Sequence, residues 1–283
     1  MRLRFAGQAA VAIILAAGIA GCSSMGSLFG SDDSAKLDTR PPDVMWKDAE
    51  DKLANGSSTK AAELFERIDQ IYPYSEEAKR ATLMAAIAYQ KAGKGPESVA
   101  AARRYLQLHP GTKDAAQAQE IVASEYFDRV SAPSRDQGET KKAIVELQTL
   151  IQKYPNSEYA AEARRRIKLA QDTLAASEMN VGRYWQKRGN YLAAVNRFKT
   201  VVTDYQQTAH VEEALMRLTE CYMALGIVSE AQTAAAVLGA NFPNGQWYKD
   251  AYALLQSGGT APHEDSGSWI SQTWKKTVSS VAG

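Results

Sequence analysis

The sequence is poor in the parts that catalysis needs. Its three histidines, His109, His210 and His263, stand far apart, each without a cysteine or carboxylate at metal-ligand spacing. No glycine-rich loop that would cradle a phosphate and no nucleophile elbow occurs. Catalytic residues, metal ligands and cofactors are therefore all expected to be none. Charge of one sign is lacking too. The 33 lysines and arginines nearly balance 32 acids, for a formal net charge of +1, which argues against a nucleic-acid partner. The alternating pattern of half-buried strands is almost absent, which leaves helices to build the body. The acidic pairs Glu76-Glu77 and Glu212-Glu213 stand where helices are expected to begin, and there they complement the helix dipole without general acid or base work.

Long apolar runs are also missing, with one short exception at the start. Arg2 and Arg4 precede an apolar stretch over residues 9–20 that is too short to span a bilayer comfortably, so residues 1–21 read as an export signal. The stretch ends Ile19-Ala20-Gly21-Cys22, which resembles a bacterial lipobox. Such a signal implies that Cys22 is lipidated and becomes the first mature residue, with Ser23 behind it favouring the outer membrane and a body in the periplasm. Losing residues 1–21 removes two arginines and no acids, so the formal charge moves from +1 to −1. Cys221 is then the one cysteine left in the body, so no internal disulfide is expected and a buried packing role is. Residues 22–42, rich in Ser, Gly and Asp and closed by Pro41-Pro42, read as a lipidated flexible tether. Twenty such residues reach roughly 25 Å.

What the body does have is punctuation. Tyr72-Pro73-Tyr74-Ser75 returns as His109-Pro110-Gly111-Thr112, Tyr154-Pro155-Asn156-Ser157, Tyr205-Gln206-Gln207-Thr208 and Phe242-Pro243-Asn244-Gly245. Proline cannot continue a helix, and the Ser, Thr or Gly two residues later is expected to N-cap the next one. The intervals of about 37, 45, 51 and 37 residues suit paired-helix repeats. Within the units the same small and aromatic residues recur: Ala61 and Phe65, Tyr89 and Tyr105, Ala194 and Phe198, Tyr222 and Ala231. Gly56, Gly93, Gly189 and Gly226 mark the turns inside the hairpins. Unit three departs from the pattern, with an insertion over residues 130–138 that lengthens its internal loop. From Ser157 to Arg188 the helical pattern is nearly unbroken, which predicts one long helix spanning two units. The fold class is thus all-α, an α-solenoid of about five tetratricopeptide-like helix hairpins. Residues 43–156 form its N-terminal repeats, residues 157–256 its C-terminal repeats, and residues 257–283 a linker with a short amphipathic tail.

Three stretches make the resemblance specific: Tyr154-Pro155-Asn156-Ser157-Glu158-Tyr159, then Arg183-Tyr184-Trp185-Gln186-Lys187-Arg188-Gly189, then Val195-Asn196-Arg197-Phe198. Together with the lipobox and the insertion they resemble the BamD (ComL) family of tetratricopeptide lipoproteins. The departures are Gln206 in place of a common proline and a longer tail. The resemblance implies a non-enzymatic component of the outer-membrane β-barrel assembly machinery. Its implied partners are the periplasmic domains of a barrel-forming assembly protein, other assembly lipoproteins, unfolded outer-membrane proteins, and the membrane through the lipid anchor. By motif match, Arg197 with Asn196, and more weakly Arg188, would contact the barrel-forming component. By the same projection Trp46, Glu50, Arg80, Leu83 and Ile87 would line a groove for unfolded substrate.

The remaining features have plainer readings. Arg164-Arg165-Arg166 and Lys168 form a basic run expected to be a solvated helix face. In the tail Trp269, Ile270, Thr273, Trp274, Thr277 and Val278 are spaced to share one helix face, which predicts docking on this protein or on a partner. Two rival functions stand beside the assembly role: a tetratricopeptide lipoprotein pilotin for secretin assembly, and a periplasmic cell-wall factor.

Overall fold

The computed structural model describes residues 40–281, with side chains described up to residue 276. The export signal, Cys22 and nearly all of the tether therefore lie outside the described residues. The described residues fold into twelve helices and no strand: α1 (Pro42–Ala54), α2 (Ser58–Ile71), α3 (Glu76–Lys91), α4 (Gly95–Leu108), α5 (Ala115–Phe127), α6 (Gly138–Lys153), α7 (Ala160–Lys187), α8 (Tyr191–Asp204), α9 (Val211–Ala224), α10 (Val228–Asn241), α11 (Gln246–Ser257) and α12 (Trp269–Val281). Each helix from α1 to α10 packs on the next, and α1 on α3, α3 on α5 and α9 on α11 also touch. Five hairpins in series, followed by α11, are the observed form of the all-α repeat array. Among the described residues no helix is long and apolar enough to cross a membrane.

The small residues do what their spacing predicts. Gly182 in α7 faces the Phe198 ring of α8 so closely that an added Cβ would overlap it. Gly189 turns the chain between these two helices at φ +73°, a conformation that side chains resist.

The punctuation works, though not by the expected chemistry. Of the junction residues, Gly245 stands at the N-cap position of α11, and Ser75 N-caps α3 with its hydroxyl, accepting a hydrogen bond from the Ala78 amide at 3.0 Å. At the next three junctions the hydroxyl donates backwards: Thr112 to the His109 carbonyl at 2.9 Å, Ser157 to Tyr154 at 2.8 Å and Thr208 to Tyr205 at 2.8 Å. Those carbonyls belong to the C-caps of α4, α6 and α8, beyond the helix's own bonds, and each also accepts the amide of the same Thr or Ser. The following helices start a turn later, at Asp114, Tyr159 and His210, with no side-chain cap bond. Gln206 replaces the proline at its junction and returns its amide to the Val202 carbonyl at 2.6 Å. The hydroxyl thus closes the preceding helix.

Apolar residues collect in three clusters. One spans α1 to α5, from Met45 to Val122. A small one joins Ala123, Leu147, Leu150, Ala160 and Ala163. The third spans α7 to α12, from Ala175 to Ile270. The long helix α7 links the last two. Cys221 is fully buried in the third, and burial pushes its thiol up to about 12.

The tail extends the body past residue 256 and docks on this chain. α12 packs against α8 and α10. Ile270 is fully buried, the Trp269 indole N–H donates to the Tyr222 hydroxyl at 3.0 Å, and Trp274 meets Phe242 edge-on at 6.3 Å. The linker is pinned along α10: Gln232 donates to Thr260 and to the Ala261 carbonyl, Thr233 accepts from the Asp265 amide, and Ser268 donates to Glu230. The side chains of Thr277 and Val278 lie outside the described ones.

Candidate protein-binding surfaces

α8 buries Ala194, Val195, Phe198, Val201 and Val202, and helical periodicity then turns Asn196 and Arg197 outward. Both are exposed. The Arg197 guanidinium donates to Glu178 of α7 at 3.2 Å while its side chain stays 48% exposed. Such a pair contributes about 0–1 kcal/mol, so a partner carboxylate can replace Glu178 at little cost. Beside it is a recess of about 350 Å³, whose lining includes Arg197, Glu178 and Tyr205 together with Arg135, Asp136 and Lys141. The insertion therefore reaches Arg197, a proximity that nothing in the sequence signals. Its loop is held by its own bonds: Ser131 donates to the Asp136 carbonyl at 2.8 Å, and Gln137 to the Ala132 and Arg135 carbonyls at 3.0 Å each. Arg188 is not part of this recess. It caps α7 and lies 4.5 Å over the Tyr184 ring.

At the other end of the array, Trp46 of α1 rests edge-on against Phe65 of α2, with ring centroids 5.1 Å apart. The Arg80 guanidinium of α3 covers the Trp46 ring at 4.5 Å and pairs with no carboxylate among the described residues. A cation over tryptophan is worth about 0.5–1 kcal/mol at an exposed site. Glu50, one turn after Trp46, is exposed. Leu83 and Ile87 differ from the open groove expected of them. Leu83 is 7% exposed inside the N-terminal core, and Ile87 is half-buried against that core. Leu83 is thus a core residue and not groove lining, because its side chain is taken up by packing between the hairpins. Phe65, which positions Trp46, had been legible only as a repeat residue.

The basic run is only partly a solvated face. Arg166 crosses to Glu120 of α5 at 2.8 Å and sits 5.4 Å over Phe127, while Arg165 pairs with Glu162 on its own helix. Burial pushes the Glu120 carboxyl up, against the pull of Arg166. Glu213 likewise does more than complement a dipole, because it accepts from Arg183 at 2.8 Å and from Arg217 at 3.2 Å. Exposed cations and an aromatic pair on rigid helices can hold polypeptide.

Comparison with known proteins agrees with this picture. The sequence signature of the outer membrane lipoprotein family YfiO matches residues 38–238. Over 261 residues the chain is 37% identical to the outer membrane protein assembly factor BamD of Caulobacter vibrioides, covering 91% of this chain and 84% of that protein. It is 39% identical over 198 residues to BamD of Rickettsia prowazekii, covering 70% and 79%. For BamD of Neisseria meningitidis serogroup A the figures are 29% over 256 residues, 85% and 93%. Among solved structures, the type IV pilus biogenesis factor PilW is 15% identical and superposes over 74% of this chain and 96% of that one with a TM-score of 0.33, too loosely to bear on function.

Proposed function

The chain belongs to the outer membrane lipoprotein family YfiO, and from that membership we propose that it is a non-enzymatic component of the machinery that assembles β-barrel proteins into the outer membrane. The observation that carries this reading is the 37% identity to a BamD assembly factor across 91% of the chain. A helical-hairpin array with outward-facing Arg197 and Trp46 is consistent with it, because such scaffolds act by binding other polypeptides. The finer roles follow the same reading. Cys22 carries the lipid that holds the protein at the periplasmic face of the outer membrane. The Arg197 recess with Asn196, and separately Arg188, meet the periplasmic domains of the barrel-forming component, and other assembly lipoproteins join that complex. The Trp46 face, with Glu50, Arg80 and Ile87, meets unfolded outer-membrane proteins.

Affinity capture from detergent-solubilised outer membranes tests the reading. A barrel-forming protein with repeated periplasmic domains is expected to co-purify, and Arg197→Ala is expected to reduce its yield. Recovery of a secretin, or of cell-wall enzymes, in its place would overturn the assignment. Mass spectrometry of the mature N-terminus tests the anchor, since an unmodified Cys22 removes it.

A further inference from the structure

A recess of about 490 Å³ opens where α7, α9 and α11 meet, away from the Arg197 recess and the Trp46 face. Its floor is a lattice of charges. Arg183 donates to Glu213 at 2.8 Å, Arg217 to Glu213 at 3.2 Å and to Glu220 at 2.9 Å, and Gln186 to Glu220 at 2.7 Å. The Arg217 guanidinium is further fixed 5.4 Å over the Trp247 ring. One wall is apolar, formed by Tyr191, Met223 and Leu254. On the rim Lys187 is exposed and pairs with no carboxylate among the described residues. Three cations line the recess, Arg183, Lys187 and Arg217, against the lining carboxylate Glu220 and against Glu213, which is bonded to both arginines, and this leaves one positive charge in excess.

We propose that this recess is a second contact site for unfolded client polypeptide, taking an extended segment in which an acidic side chain stands beside an apolar one. It rests on the assembly role proposed above. The excess charge at Lys187 complements one client carboxylate. Each floor guanidinium has five N–H donors and spends only some on its own acids, so others remain for client carbonyls. The apolar neighbour packs on Met223 and Leu254, and the flexible thioether accepts side chains of varied shape. One surplus charge at an exposed rim gives weak, salt-sensitive attraction. That suits passing clients of many sequences better than a fixed partner.

The full lipidated chain in detergent is titrated with two fluorescein-labelled peptides on a glycine-serine host, one containing Glu-Leu-Glu-Phe and the other Lys-Leu-Lys-Phe. The acidic peptide is expected to bind more tightly. Lys187→Glu is expected to weaken it by about five- to tenfold, as losing and reversing one exposed charge implies, with an unchanged unfolding midpoint. A benzophenone side chain at Leu254 is expected to capture newly made outer-membrane proteins in cells, less so in the Lys187→Glu background. Client adducts from a benzophenone at Glu50 but none from Leu254, or equal affinities for the two peptides, overturn this site and leave the assembly role standing. No adduct from either position, with no barrel-forming protein co-purifying, overturns both.

Discussion

In the N-terminal core twelve of the twenty buried residues are alanine, whereas in the C-terminal core alanine supplies seven of twenty-two. Alanine lets helices approach closely but removes little apolar area from water, so the first half leans on a few large side chains such as Phe65, Ile68 and Tyr105. The second half fills its space with Val, Leu, Met and Phe198, and α12 then folds back over α8 and α10. Arg80 is held by a ring alone, while Arg183 and Arg217 are tied into shared carboxylates. The packing thus differs along one repeated plan, while cations over aromatic rings occur in both halves, Arg80 over Trp46 and Arg188 over Tyr184.

The largest expected effect comes from the packed half. Phe198→Ala should cost about 3–5 kcal/mol in chemical unfolding, because the space against Gly182 cannot close fully. Gly182→Ala should destabilise as well, and the double variant should lose less than the sum of the two. Strict additivity would show that the two groups do not press on each other. Deleting residues 258–283 removes buried Ile270 and the Trp269 bond to Tyr222, and should cost about 2–4 kcal/mol. Hydrogen exchange should then quicken in α8 and α10 and stay unchanged in α2 and α3. Uniform quickening would erase the contrast between the two halves.

Smaller effects probe the junctions and the surface. Thr208→Val keeps the shape and loses the hydroxyl bond to the Tyr205 carbonyl, at about 1 kcal/mol. A stabilised Thr208→Val variant would refute helix closure by this hydroxyl. Arg197→Ala should change stability by about 1 kcal/mol or less, since its pair with Glu178 is exposed. A larger loss in thermal unfolding would make Arg197 a structural brace and not a free contact.

Much of the array was legible because its signals are local. Proline, junction spacing and hairpin glycines act on the backbone within a few residues, and the long α7 follows from an unbroken pattern. The hydroxyl at each junction was legible as a residue but not in its role, because Ser and Thr can bond forwards as a cap or backwards to a carbonyl. The candidate site was less legible. Asn196 and Arg197 came through as a motif, yet the approach of Arg135 and Asp136 depends on how the insertion folds onto α7. Leu83 looked like its neighbours in a pattern and proved to be core. Trp46 was visible, while its seat on Phe65 and beneath Arg80 was not, since those residues come from different helices.

By itself the sequence determined a chain of helix pairs and their turns, because propensity and chain-breaking are properties of short segments. Only tertiary structure decided which residues of each helix face water, where the insertion lands, and that the tail returns to cover α8 and α10. Those outcomes depend on the area that helices distant in sequence can bury together, a quantity that exists only once the hairpins are stacked.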